Sequence, residues 1–260
     1  MPEPILQFEA VNRRFGDLLA VQDLSFTVQP GEVVGLLGPN GAGKTTSVRM
    51  LVGLLAPTSG HIRIAGVSVA EDAIAAKKHI GYVPDGAPLY PNMSPVQLLR
   101  LVGGLYGVAA ETLERRSEHL LRSFDLWGRR DDPVGQFSRG MRQKAALACA
   151  LVHDPKLLVL DEPLSGLDAP SASLIKELLR GWADRGGAVL YTSHLLEIVE
   201  RICDRMVILS EGRCVGQGTL DSLRNQAGSS GTLEQVFLHL SHAEDPAVKA
   251  RDLLAGLQSR

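Results

Sequence analysis

The chain has 260 residues, enough for one large α/β domain with its own core. Hydrophobic residues make up 45% and charged residues 22%, ordinary values for a soluble globular protein, and the formal net charge of -2 offers no basic field for nucleic acid. Aromatics at 5% argue against a base-stacking surface, and no stretch approaches the ~20 apolar residues that cross a bilayer.

The start, Met1-Pro-Glu-Pro4, lacks a basic segment followed by an apolar run, so no signal peptide is expected. Residues 5–28 alternate loosely and are rich in Val, Leu and Phe, which predicts two strands around a turn at Gly16-Asp17. Pro30-Gly31 breaks the chain. Residues 32–37 are a compact apolar run, the pattern of a buried strand. A Gly-rich loop follows, then a helix through about Gly53. A turn at 57–60 leads to a strand over 61–65, ended by Gly66. Beyond 80–84 the pattern becomes helical. Ser94-Pro95 is a helix start, with Ser as N-cap and Pro in first position. A second helix is expected over about 111–124, and a third from near Ser138 to Asp154-Pro155. Gly103-Gly104 lowers helix propensity inside the first of these, with no local reason. The arginines at 115–116 and 129–130 read as solvated helix and loop surface.

Strand–helix alternation then resumes, with strands at 157–160, 188–192 and 206–209, a helix at 170–184 and a hairpin turn at Glu211-Gly212. Residues 225–231 shift to Gly and Ser and read as a linker. A helical patch with Leu233, Val236, Phe237 and Leu240 follows. A helical block, 86–155, thus interrupts an α/β core of 1–85 and 156–224, with a tail over 225–260. No internal repeat is visible. The longest apolar run, 145–152, is too short to span a membrane, so any role there requires a partner chain. Cys149, Cys203 and Cys214 are odd in number and widely spaced, a poor disulfide framework or zinc site, and read as free thiols.

The most informative segment is Gly38, Pro39, Asn40, Gly41, Ala42, Gly43, Lys44 and Thr45, which fits G-x-x-x-x-G-K-[ST] in full. Glycines let backbone N–H groups turn toward phosphate oxygens, and the following helix, opening with Lys44, Thr45 and Thr46, points its N-terminus at the anion. Lys44 can reach β- and γ-phosphates, and the Thr45 hydroxyl can hold Mg²⁺. Chance produces such a match on the order of once in a hundred chains of this size. A second element, Leu157-Leu-Val-Leu-Asp161-Glu162, is an apolar strand ending in two carboxylates. In P-loop NTPases an Asp so placed helps hold Mg²⁺, and a neighbouring carboxylate can polarise the attacking water.

Together these segments resemble the ATP-binding-cassette (ABC) ATPases over about residues 5–222. The resemblance implies an α/β P-loop NTPase with a RecA-like sheet core, an antiparallel β subdomain and an inserted α-helical subdomain, using ATP and Mg²⁺. It makes Phe15 the ring that stacks on adenine, Asp161 the metal-site residue and Glu162 the catalytic carboxylate. Ser165-Gly-Leu-Asp168 matches a loop that crosses the dimer interface, and His194 the switch histidine at the γ-phosphate. Phe137-Ser-Arg-Gly-Met141 resembles the signature Leu-Ser-Gly-Gly-Gln with three of five positions changed; Ser138 and Gly140 remain. A hydroxyl and a bare backbone at a helix N-terminus form an anion site, which in the family closes on nucleotide held by the other subunit. The Ser-Arg-Gly-Met form and the tail Leu-Glu-x-Val-Phe are similar to bacterial exporter ATPases.

Asp85 stands where the family usually has Gln. Its oxygen suits Mg²⁺ directly or through water, or it only tunes coupling. The partners implied are a second ATP-binding subunit, identical or different, and a separate membrane permease. The permease would insert a short helix near 86–100, beside Tyr82, Leu89 and Tyr90, with this chain peripheral on the cytoplasmic face of the cell membrane. No nucleic acid is expected. The competing reading is a soluble ABC ATPase acting on ribosomes, DNA or protein assemblies, whose members usually carry two cassettes, long insertions or a basic surface. A non-ABC P-loop enzyme, such as a nucleotide kinase, leaves residues 137–141, 165–168 and 194 unexplained together.

Overall fold

A computed structural model of the chain describes residues 3–164, 167–193 and 196–241. The first strands, β1 (Leu6–Phe15) and β2 (Leu18–Val28), form the expected hairpin about Gly16-Asp17. They are followed by β3 (Val33–Leu37), α1 (Lys44–Leu51), β4 (Ser59–Ile64), the two-residue β5 (Val67–Ser68), the short α2 (Ala73–Lys77) and β6 (Ile80–Val83). The helical block comprises α3 (Pro95–Leu105), α4 (Ala110–Ser123) and α5 (Arg139–Leu151). The core then resumes with β7 (Leu157–Asp161), α6 (Ala169–Asp184), β8 (Ala188–Thr192), α7 (Leu196–Ile202), β9 (Arg205–Ser210) and β10 (Arg213–Gly218). Two helices, α8 (Leu220–Ala227) and α9 (Leu233–Ser241), close the described chain.

The strands form two sheets. One is antiparallel, in the order β2-β1-β4-β5; the other runs β10-β9-β3-β8-β7-β6 and is parallel except for β10. The central strands are apolar up to their carboxyl ends, where β7 closes with Asp161 and β8 with Thr192, because both faces of the second sheet are covered. In β3, Val34 and Leu36 face a core shared with the antiparallel sheet and α1, while Val33 and Leu37 face the helices. In β7 the same alternation divides Leu157 and Val159 from Leu158 and Leu160. Each such side chain, fully buried, contributes about 1.5–3 kcal/mol. All the parallel strands end at one edge of the sheet, where open α/β folds bind their ligands.

Local chemistry sets the helix boundaries. Ser94 and Gln97 form a reciprocal capping box, with Pro95 in first position, so α3 begins where the sequence places it. Gly103 is explained by α4: an added Cβ would lie 2.3 Å from Leu113 Cδ1, whereas one on Gly104 would meet nothing within 4 Å. Gly103→Ala is therefore expected to destabilise by about 1–3 kcal/mol through overpacking. Gly104→Ala, exposed on the same helix, is expected to stabilise by about 0.5–1 kcal/mol. Urea unfolding of the two variants checks the pair; equal shifts would contradict the close approach of α3 and α4.

The expected linker is shorter than its composition suggests. α8 continues through Asn225 and Gln226 to Ala227, capped by Thr219 and anchored by buried Leu223 and Ala227; the left-handed Gly228 ends it. α9 then docks with Leu233 and Val236 buried, and the Arg224 guanidinium donates to the Gly231 carbonyl at 2.9 Å. Of the arginines read as solvated surface, Arg115 is exposed as expected, and the other three are more engaged. Arg116 donates to Val152 O and pairs with Asp154, Arg129 pairs with Asp132, and Arg130 lies 4.6 Å from the Trp127 ring centre. The three cysteines are free, and burial pushes the Cys149 thiol up to about 12, as for an inert core thiol. Among the described residues no helix is long and apolar enough to cross a membrane.

Candidate functional site

Five chain segments meet at the carboxyl edge of the parallel sheet: the loop after β3, the turn after β6, the start of α5, the end of β7 and the end of β8. The Gly38–Gly43 loop turns tightly into α1. Gly43 has φ +103°, and a methyl there would lie 2.7 Å from the Ala20 carbonyl oxygen. Only glycine fits that approach between the loop and the β1–β2 hairpin. Gly38 is buried, while Pro39, Asn40 and Gly41 are exposed along the rim; Ala42 is buried beneath them. The first turn of α1 carries no acidic residue, so its N-terminal dipole is open to an anion.

Lys44 is half-buried. Its ammonium donates to Gly38 O at 2.6 Å and to Pro39 O at 3.1 Å, so the loop's own carbonyls hold it across the turn. Burial lowers its pKa, against the opposing pull first of Glu162 and then of Asp161. Thr45 is exposed on the same turn and Thr46 is half-buried behind it. Asp161 closes β7, and the buried Thr192 hydroxyl donates to its Oδ1. Glu162 turns off the strand with φ +49°, a conformation that costs a non-glycine residue energy and persists only where its surroundings hold it. Its N–H donates to Thr192 O at 3.1 Å, and the Ser193 hydroxyl donates to its Oε2 at 3.3 Å.

Asn40, Lys44, Thr45, Asp85, Arg139, Asp161 and Glu162 line one cavity of about 470 Å³. A larger cavity, about 720 Å³, lies between α3 and α4 and is lined by Arg100, Glu114 and Trp127 among others. Size does not decide between them. The smaller one joins an anion-binding loop, a lysine and three carboxylates, the set that phosphoryl chemistry needs. Thr45, Asp161 and Asp85 supply hard oxygen donors to one space, which fits a Mg²⁺ that keeps phosphate and water in its shell. No cluster of three or more His, Cys, Asp or Glu that could hold a metal alone occurs among the described residues.

The structure brings Asp85 to the cavity, as the sequence anticipates. It also brings Arg139, which sequence reasoning treats only as a variant signature residue. Sequence reasoning assigns no role to Thr192 and Ser193; two consecutive hydroxyl residues at a strand end are visible in the sequence, but only the β7–β8 register brings them level with Asp161 and Glu162.

Phe15, Ser138, Gly140 and Asp168 do not line this cavity. The Phe15 ring is 43% exposed at the hairpin end, with the Arg13 guanidinium 4.4 Å from its centre. Ser138 is the exposed N-cap of α5, its Oγ accepting from Met141 N at 3.3 Å. An added Cβ at Gly140 would lie 3.5 Å from Leu167, so the signature helix packs beside the Leu167 side chain. Asp168 is the N-cap residue of α6, exposed, with the Ser171 hydroxyl holding its carboxyl below the usual range. Ser165, Gly166 and His194 lie outside the described residues. Of the expected groove residues, Tyr82 and Leu89 are half-buried and Tyr90 is exposed.

Comparison with known proteins bears on this arrangement. Residues 21–165 match the family model described as ABC transporter. Nod factor export ATP-binding protein I of Burkholderia lata is 43% identical over 223 residues, covering 86% of this chain and 73% of that protein. The probable multidrug ABC transporter ATP-binding protein YbhF of Escherichia coli K12 is 34% identical over 247 residues, covering 94% of this chain and 43% of that protein. A solved structure described as the ATP binding subunit of an ABC transporter superposes with a TM-score of 0.87 at 34% identity, over 91% of this chain and 99% of that one. The dimeric, post-hydrolysis cassette MJ0796 bound to ADP and Pi shares the fold, with a TM-score of 0.74 at 23% identity, over 83% of this chain and 98% of that one.

Proposed function

Since the chain belongs to the ABC transporter family as an ATP-binding and ATP-hydrolysing subunit, we propose that it forms half of a nucleotide-closed clamp that drives a separate membrane permease. The observation that carries the reading is the convergence of the phosphate loop, Asp85, Asp161 and Glu162 on one cavity. The loop N–H groups and Lys44 bind the ATP phosphates, and Phe15 stacks on the adenine. Thr45, Asp161 and Asp85 would hold Mg²⁺, which when bound neutralises charge on the phosphate oxygens. Glu162 orients the water for in-line attack, and His194 contacts the γ-phosphate.

Ser138, Gly140 and Asp168 act across the interface, on nucleotide held by a second ATP-binding subunit. That arrangement is head-to-tail, and it gives these residues, which do not line the chain's own cavity, a nucleotide to act on. ATP favours closure because it gains these contacts only in the closed dimer; hydrolysis removes the shared phosphate and the pair opens. A short permease helix seats beside Tyr82, Leu89 and Tyr90 and moves with closure, which places the chain on the cytoplasmic face of the membrane. The direction is export, supported by relatives named for export and multidrug transport. The same names favour a transporter over a soluble ATPase working on ribosomes or DNA.

The test is to recover tagged Glu162→Gln with ATP from detergent-solubilised native membranes and identify its companions by mass spectrometry. A stoichiometric multi-span membrane protein is expected. Repeated recovery with ribosomes or DNA from an intact membrane fraction would leave the ATPase and remove the transporter.

A further inference from the structure

Two consecutive hydroxyls stand behind the two consecutive carboxylates. β7 and β8 are parallel neighbours whose last paired residues are Asp161 and Thr192. The Thr192 side chain is wholly buried, and its hydroxyl donates to Asp161 Oδ1. Asp161 Oδ2 has no hydrogen-bond partner among the described residues. One residue on, Ser193 is also buried and donates to Glu162 Oε2.

We propose that Thr192 is a positioning residue for the ATPase reaction: it holds one oxygen of Asp161 so that the other is presented to the cation of the metal–ATP complex. The proposal rests on Asp161 being the metal-site carboxylate. The reason lies in the side chain's own freedom. An aspartate carboxylate rotates in a broad, roughly two-fold torsional well, so the backbone alone does not fix which way its oxygens point. A donor on the adjacent strand removes that freedom. The strand register supplies the donor at the one position level with Asp161, and burial keeps water from taking its place. A charge-assisted hydrogen bond of this kind is about twice as strong as a neutral one. The bond also satisfies a hydroxyl that would otherwise be buried without a partner, so a purely structural role must be separated from a positioning one.

Thr192→Val removes the donor and keeps the branched shape; Thr192→Ala removes it with a smaller side chain; Thr192→Ser keeps it. The readout is binding of a fluorescent ATP analogue to the purified chain, titrated with Mg²⁺ and repeated in EDTA, with thermal melting in EDTA alongside. Thr192→Val and Thr192→Ala are expected to need about tenfold more Mg²⁺ for half-maximal enhancement, within the range seen when an outer partner of a metal ligand is removed. Binding in EDTA should be unchanged, and Thr192→Ser should restore the native Mg²⁺ dependence. Ser193→Ala, acting on Glu162, should lower kcat without moving the Mg²⁺ midpoint.

A native Mg²⁺ midpoint in both Thr192→Val and Thr192→Ala overturns the proposal. So does a loss of binding in EDTA that matches the loss in Mg²⁺, which is the mark of a structural role. Should the unaltered chain and Asp161→Asn show the same Mg²⁺ response, the metal-site assignment itself is wrong, and that failure is recognisable before any Thr192 variant is read.

Discussion

Glu162→Gln binds ATP as the native chain does and hydrolyses it about 10²–10⁴-fold more slowly, the span lost when a positioned general base is removed. The substitution keeps the length and planarity of the side chain. An amide oxygen can still accept from Ser193, and the strained backbone at φ +49° remains tied by its N–H to Thr192 O. What disappears is the negative charge that polarises water. Phosphate loop, Lys44, Thr45 and Asp161 are untouched, so nucleotide affinity has no reason to fall. Phosphate release under saturating ATP, set beside equilibrium nucleotide binding, measures both halves. Near-native turnover would take Glu162 out of its role, and lost binding would mean that the carboxylate supports the loop rather than the chemistry.

The parts of the fold and site that could be read in advance are those whose cause is local. The phosphate loop needs glycine, lysine and threonine within one turn, and the sequence displays them together. Ser94-Pro95 carries its own helix start, and the apolar β3 and β7 announce strands covered on both faces. The helix α8 shows the opposite case. Its residues 225–227 have a loop-like composition, and they stay helical because Leu223 and Ala227 are buried as α8 packs on β10 and α9, tertiary contacts that composition does not display. β5 and α2 are too short, at two and five residues, to leave a periodic trace. Gly103 makes sense only once Leu113 is seen against it. Arg139 reaches the cavity through tertiary placement of α5, and the hydroxyl behind Asp161 depends on the β7–β8 register. Function was legible further than structure because phosphate chemistry constrains residue types at short range, while packing constrains them at long range.

Ser138→Arg and Ser138→Asp are both expected to weaken ATP-driven pairing of subunits severely while leaving each chain able to bind ATP. Ser138 is exposed and does not line its own chain's cavity, so neither change alters a residue of the phosphate loop. The arginine adds bulk and a cation at a helix N-terminus, where the dipole disfavours positive charge. It also removes the cap to Met141 N, a loss of about 1 kcal/mol that lowers stability as well. The aspartate separates the two effects. It is as good an N-cap as serine, so the chain keeps its stability. Yet it sets a negative charge where the γ-phosphate of the facing subunit must arrive. A like-charge penalty of about 3 kcal/mol there weakens association by roughly two orders of magnitude. Light scattering on the Glu162→Gln background, with and without ATP, reads the outcome. An ATP-dependent dimer that survives Ser138→Asp at native strength would show that Ser138 does not face nucleotide across the interface, and the head-to-tail clamp would have to be rebuilt around other residues.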